Sequence, residues 1–182
     1  MRIVAGKSKG LGLKPVPGKK TRPTTDKVKE ALFQQIGPFF DGGQVLDLYA
    51  GSGSLGIEAL SRGAESAIFI DRERAAVRTI HENIRRAGVE EQTQVFMNDA
   101  KRAMKALQKR ELAFQYIFLD PPYDKVNLSE MLVQLQTHQL VGEDALVICE
   151  HPRESKLPDR VNDLQLMRQQ AYDSTGVSIF SE

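Results

Sequence analysis

The sequence predicts an α/β fold: a mostly parallel, seven-stranded sheet with helices on both faces, an antiparallel C-terminal hairpin and a small basic N-terminal extension. Three observations predict it. Five apolar runs, "QVLDLY", "SAIFID", "TQVFMND", "FQYIFLD" and "ALVICE", recur with helical stretches between them. That is the rhythm of βα units whose strands are covered on both faces. A glycine-rich turn, Gly51-Ser52-Gly53, separates the first run from its helix, as in Rossmann-like nucleotide-binding folds. Finally, "LQLMRQQAY" and "TGVSIF" lie close together with no helix between them, so they pair as an antiparallel hairpin at the sheet edge.

The elements follow in order. "RIVAG" and "LGLKPV" form a short hairpin across a Lys/Gly turn. In "RPTTDKVKEALFQQI", Thr24 or Thr25 caps a helix whose Val28, Ala31, Leu32, Gln35 and Ile36 recur at helical spacing. The helix after the glycine turn runs through "LGIEALSRG" and closes at Gly63. "RERAAVRTIHENIRRAG" carries Ala76, Val77, Ile80 and Ile84 on one face, with Gly88 past its end. "AKRAMKALQKR" turns Ala103, Met104 and Leu107 inward, and "NLSEMLVQLQTH" supplies the last helix. One domain spans residues 1–182, with 1–24 as a basic arm and 25–182 as the core.

Composition narrows the function classes. The 182 residues are 41% hydrophobic and 27% charged, as in ordinary globular proteins. No run of about 18 apolar residues is present, so no membrane helix is expected, and "MRIVAGKSKG" lacks the apolar core of a secretory signal. The single Cys149 fits a small buried hydrophobe in a reducing, cytoplasmic compartment. His81, His138 and His151 are scattered, so structural or surface roles are expected for them and no metal site is expected. The formal net charge of +1 is unevenly spread. Residues 1–35 hold nine Lys/Arg against Asp26 and Glu30, a net of +7, and the other 147 residues hold 16 basic and 22 acidic side chains. A basic segment carrying Lys7, Lys9, Lys19, Lys20 and Arg22 suits a polyanion. A solvated arm without a partner is the competing reading.

Ligands of such sheets bind beyond the carboxyl ends of the strands. Four acidic residues fall there: Asp47, Asp71, Asp99 and Asp120. Each alone reads as a cap or a loop residue; at equivalent positions in successive units they converge on one crevice. Gly51, Gly53 and Gly56 spell the G-x-G-x-x-G of dinucleotide enzymes. A pyrophosphate on helix-start amides wants no anion beside it, however, and Asp47 directs a carboxylate into that turn. The arrangement favours a ligand with a cationic or donor-rich group there, such as the amino-acid portion of S-adenosylmethionine. Asp71, 24 residues on, would accept from ribose hydroxyls, and Asp99 from the adenine amine.

"DPPY", Asp120 to Tyr123, follows an apolar strand. The amine on a nucleobase is a poor nucleophile because its lone pair is delocalised into the ring. The Asp120 carboxylate and the Pro121 carbonyl can hold both N–H bonds and return electron density to that nitrogen. Prolines fix φ, so Pro121 and Pro122 pre-position these acceptors, and Tyr123 can stack on an extruded base.

With these residues in view, "DLYAGSGSLGIEALSRGA" and "FLDPPY" resemble the S-adenosylmethionine-dependent amino-methyltransferases. "RIVAGKSKG", "RPTTDKVKEALF" and "YDSTGVSIF" narrow the resemblance to the RsmD family, bacterial 16S rRNA (guanine-N2)-methyltransferases, over essentially the whole chain. The resemblance implies that Asp47, Gly51 and Gly53 bind the methionine part, Asp71 the ribose, and Asp99 with Ala100 the adenine. Tyr49, Ser52 and Arg72 belong with this cofactor set. Asp120, Pro121, Pro122 and Tyr123 would hold the guanine amine, and Arg22, Pro23 and Thr24 would engage RNA beside the pocket. The implied partner is 16S rRNA or the assembling 30S subunit, approached by a monomer, with S-adenosylmethionine as donor and no metal. Two departures stand out: the family often has Glu where this chain has Asp71, and Asp173-Ser174 stand where a glycine often follows the tyrosine. Adenine-N6 methylation remains open on motif chemistry, since D-P-P-Y also serves adenine. A nicotinamide-dependent dehydrogenase and a non-catalytic RNA-binding module are the rivals from other classes.

Overall fold

The computed structural model describes residues 1–18 and 24–182. Helix α1 (Asp26–Ile36) starts where the Thr25 side chain accepts from the Val28 amide, and it buries Val28, Leu32, Phe33 and Ile36. The βα units follow: β1 (Gln44–Asp47), α2 (Ser54–Ser61), β2 (Ser66–Asp71), α3 (Arg74–Ala87), β3 (Thr93–Met97), α4 (Ala100–Lys109), β4 (Phe114–Leu119), α5 (Leu128–Thr137) and β5 (Val141–Pro152). Helix α3 ends in the left-handed Gly88, and α5 begins at an Asn127 cap. The chain closes with β6 (Arg160–Val161), β7 (Leu164–Tyr172) and β8 (Thr175–Ser181).

The strands form one sheet in the order β3-β2-β1-β4-β5-β8-β7-β6. Strands β3 to β5 pair in parallel, and β8, β7 and β6 continue the sheet antiparallel. The sheet therefore has eight strands among the described residues, not seven. The eighth, β6, is two residues long and has no apolar period for a sequence reading to detect. The strand order reverses direction between β1 and β4, which opens a crevice at their carboxyl ends.

Side chains alternate across the sheet. Leu46, Leu48, Ile117, Leu119, Val147 and Cys149 face the layer that contains Met104, Leu107, Met131 and Leu135 of α4 and α5. Val45, Phe69, Phe118, Ile148 and Ile179 face the layer of Leu32 and Phe33 of α1, Leu60 of α2 and Ile80 of α3. The lone Cys149 is buried, and burial pushes its thiol far up, so it packs as a hydrophobe.

Gly56 lets α2 approach this second layer. A Cβ there would stand 2.4 Å from Phe69 Cε1 and 2.7 Å from its Cζ. Gly56→Ala is expected to cost about 1–3 kcal/mol through overpacking. It should read as a lower urea midpoint at constant m-value; an unchanged midpoint would mean that helix and ring can separate freely.

The N-terminal segment is not a solvated arm. Arg2 pairs antiparallel with Gly12, the Ile3 amide donates to Leu11 O at 2.9 Å, and Ile3 and Leu13 are buried in the second layer. Its charged side chains point outward while its few apolar ones face α1 and α2, which is how so polar a stretch acquires a core contact. A buried ionic cluster holds it down. Glu58 accepts from the Val4 amide at 2.9 Å and the Ala5 amide at 3.1 Å, and from Arg62 Nε at 2.9 Å. Lys29 Nζ lies 3.3 Å from Glu58 and donates to Arg2 O at 2.6 Å and Ser54 Oγ at 3.1 Å. Asn83 adds a second clasp, accepting from the Lys14 amide and donating to the carbonyls of Lys14 and Ser52.

Candidate active site

A cavity of about 1090 Å³ opens at the carboxyl ends of the parallel strands. Asp47, Tyr49, Gly51, Ser52, Asp71, Arg72, Asp99, Ala100 and Asp120 to Tyr123 all line it, as does Thr24. Gly53 lies beneath it at the head of α2. The turn requires φ of +57° at Gly51 and +82° at Gly53, backbone states that other residues rarely adopt.

Each acidic side chain leaves its own strand. Asp47 ends β1 with 1% exposure, and its Oδ2 accepts from the Gly56 amide at 3.1 Å. Burial pushes its carboxyl up to about 7, with further pressure from Asp120 and Asp71, while the Gly56 bond opposes the shift. Asp71 ends β2 and braces the turn: Oδ2 accepts from the Gly51 amide at 2.8 Å, and Oδ1 from the Glu73 amide at 2.9 Å. Asp99 caps α4, its Oδ1 accepting from the Lys101 and Arg102 amides at 3.0 and 3.2 Å. Tyr49 points toward Met131 Sδ at 3.6 Å, and burial raises its phenol to about 12. Arg72 is exposed beside Glu73, 3.3 Å away.

At the end of β4, Pro121 is buried, Pro122 is exposed, and the Tyr123 ring is 43% exposed. The Tyr123 hydroxyl reaches Thr175 Oγ1 at 3.3 Å, so the turn between β7 and β8 steadies the ring. That turn, Asp173 to Thr175, also lines the cavity. The sequence reading assigned it nothing.

Glu150 was also missed. It stands near the end of β5, 4% exposed, and lines the cavity. Both of its oxygens face the Thr24 hydroxyl, at 3.1 and 3.2 Å. Burial, then Asp120, then Asp47 push its carboxyl well up, and the Thr24 bond opposes them. The available signal was the same as for the other four: an acid ending an apolar run, here "ALVICE".

The basic residues are divided. Thr24 is at the cavity, but Lys7 and Lys9 are exposed near the far end of α2, where the Lys7 amide donates to Ser61 O. Lys19, Lys20, Arg22 and Pro23 lie outside the described residues. The histidines stay away from the crevice. His81 is exposed, His138 meets Gln108 at 2.6 Å, and His151 holds Ser178 Oγ at 2.7 Å.

The donor set fits S-adenosylmethionine. Carboxylates at the ends of β1, β2 and β3 would oppose an ammonium group, a ribose diol and an exocyclic adenine amine in sequence, above a turn that exposes backbone.

Four similarities place the chain among known proteins. The Bacillus subtilis protein YlbH is 50% identical over 182 residues, covering all of this chain and 99% of its own length. Ribosomal RNA small subunit methyltransferase D of Escherichia coli K12 is 35% identical over 159 residues, 87% of this chain and 78% of that one. The solved structure of Escherichia coli yhhF superposes with a TM-score of 0.82 at 31% identity, covering 99% of this chain and 96% of that one. The model of the family described as conserved hypothetical protein 95 matches residues 1–181. The chain belongs to that family, the RsmD family, in which the ribosomal RNA small subunit methyltransferase D proteins are its relatives.

Proposed function

We propose that this chain methylates the exocyclic N2 amine of a guanine in small-subunit ribosomal RNA, with S-adenosylmethionine as methyl donor. The observation that carries the reading is the placement of the D-P-P-Y turn next to the three carboxylates assigned here to the cofactor. In the sheet order, Asp99, Asp71 and Asp47 leave β3, β2 and β1, and Asp120 leaves the next strand, β4. An amine held at Asp120 therefore lies at the methionine end of the cofactor, where the methyl group is. The relatives named as ribosomal RNA small subunit methyltransferases supply the substrate class. Either free rRNA or an assembling subunit presents that base.

When bound, the cofactor supplies a methyl group already activated on a sulfonium. The chain's own residues do the rest. Asp47, with the amides that start α2, orients the amino-acid end. Asp120 and the Pro121 carbonyl hold the two amine hydrogens and stabilise the positive charge that grows on nitrogen. Tyr123 offers a face on which the extruded base stacks, fixed by Thr175. Thr24, Thr25 and Tyr172 to Thr175 line the cavity that receives the base.

Nucleoside mass analysis tests the reading. Small-subunit rRNA or particles lacking the modification are incubated with isotopically labelled cofactor, and N2-methylguanosine at one nucleotide is expected. N6-methyladenosine as the product would replace guanine by adenine as the target.

Asp47 makes cofactor affinity pH-dependent. An ammonium group binds the ionised carboxylate, whose ionisation centres on about 7 in the free protein. Below that pH, affinity for S-adenosylhomocysteine is expected to rise by up to about tenfold per pH unit, levelling off above it. Folding stability runs the other way. The folded carboxyl holds its proton more tightly than the unfolded one (about 3.9), so stability falls as pH rises from about 4 through about 7. Asp47→Asn should flatten both profiles in titration calorimetry and thermal melts. A persistent slope would assign it to another group.

A further inference from the structure

We infer that Glu150 is a specificity-determining residue that accepts the N1–H of the target guanine; this rests on the guanine-N2 reading above. Strands β4 and β5 pair in parallel with Leu119 opposite Cys149, so Asp120 and Glu150 are the next matched positions. Phe118 and Ile148, two residues earlier, both face the second layer, and the alternation carries Asp120 and Glu150 to that same side. The two carboxyls thus leave adjacent strands side by side, close enough that each acts on the other electrostatically.

Position along the sheet decides which ligand Glu150 meets. The carboxylates assigned to the cofactor leave β3, β2 and β1, and the amine site leaves β4. Glu150 leaves β5, one strand further from the cofactor, so it faces the base. On guanine, the neighbour of the N2 amine is the ring N1–H, a donor. With Asp120 and the Pro121 carbonyl on the amine hydrogens, the adjacent N1–H falls to the adjacent carboxylate. Accepting the N1–H draws Glu150 to its ionised form against the upward push of burial and Asp120, whereas on adenine the ring nitrogen beside the amine carries a lone pair and offers a carboxylate no hydrogen.

The bonding of Glu150 leaves room for this. A carboxylate offers about four acceptor sites. Among the described residues, its only hydrogen-bond partner is the Thr24 hydroxyl, and no lysine or arginine pairs with it. Counting the described residues alone, a carboxyl only 4% exposed with one hydroxyl partner is poorly compensated as a purely structural group. Thr24 fixes its rotamer and leaves the remaining lone pairs toward the cavity.

The test separates the N1–H from the amine. Small-subunit rRNA is assembled by ligation around a synthetic segment bearing either guanine or 2-aminopurine at the methylated nucleotide. 2-Aminopurine keeps the amine at position 2 but has a bare ring nitrogen at position 1. The native protein is expected to favour guanine in kcat/KM by about 10- to 100-fold, the value of one hydrogen bond to a charged acceptor. Glu150→Gln can turn either its oxygen or its amide toward the ring, so the preference should collapse to within a few-fold. Its turnover of 2-aminopurine should exceed the native rate, a gain that a damaged fold does not produce. Glu150→Ala, read the same way, should also lose the preference, and S-adenosylhomocysteine binding checks both folds. Equal native turnover of the two bases overturns the assignment without any variant, as does a preference that survives both substitutions. A native product methylated at an atom other than N2 instead removes the guanine-N2 reading, and the role of Glu150 goes with it.

Discussion

Asp120→Ala is expected to lower kcat about 10²–10³-fold while leaving the affinity for S-adenosylhomocysteine within a few-fold of native. The magnitude is that of removing one preorganised group that stabilises charge at the reacting atom. The selectivity follows from position. Asp120 leaves β4, and the groups that would hold the cofactor leave β1, β2 and β3. Removing its carboxylate also lifts one of the two charges that raise Asp47, so the Asp47 ionisation should move down from about 7. The cofactor-affinity profile of the variant therefore shifts to lower pH, which is a second readout independent of turnover. Asp120→Asn keeps one acceptor oxygen and should fall between the two. Single-turnover transfer and calorimetry decide the matter: a variant that loses cofactor affinity in step with rate would move Asp120 into the cofactor site.

Most of the scaffold was legible because its physics is local. Each parallel strand is a short apolar run, and each helix shows its buried face at helical spacing, as with Ala103, Met104 and Leu107 of α4. The strand-end acids were legible because they recur: one carboxylate after an apolar run reads as a cap, as Asp99 is, but four at equivalent positions in successive units point to one crevice. What escaped depends on pairing across long sequence distance. Glu150 carries the same local signature as Asp120, but its importance comes from standing beside Asp120 in register, and register is not written in either run. The docking of residues 1–14 is similar. Asn83 sits inside an amphipathic helix and looks like a polar face residue, yet it bonds Lys14 69 positions away. Glu58 in "LGIEALS" looks like an exposed charge, and only the folded chain shows two cations closing on it. Strand β6 lacks a pattern because an edge pair of two residues needs none.

Glu58→Ala is expected to be the most destabilising single change, by about 3–5 kcal/mol, the usual consequence of breaking a buried ion pair from one side. Lys29, Glu58 and Arg62 all have side chains with 0% exposure. Burial already lowers the Lys29 ammonium, Arg62 adds to that, and Glu58 opposes both. Without Glu58, the two cations face each other in a dry site, and the Val4 and Ala5 amides lose their acceptor. Arg62 keeps Pro38 O at 3.1 Å and a long 3.5 Å approach to Glu30, and its guanidinium stays 4.8 Å from the Phe33 ring centre. Those contacts orient it but do not neutralise Lys29. For a chain of this size the loss corresponds to a fall in melting temperature of about 10 °C. Hydrogen exchange should speed up first in residues 2–13, the segment that Glu58 holds, before the sheet is affected. Methyl transfer should fall with it, because the same segment leads into Pro15 and Val16, which line the cavity. Replacing the set together, as Lys29→Met, Glu58→Leu and Arg62→Met, removes the charges as well as their partner and should recover most of the melting temperature. If Glu58→Ala melted within about 2 °C of native, the cluster would not be what fastens the N-terminal hairpin to α1 and α2, and Asn83 with the burial of Ile3 and Leu13 would have to account for it.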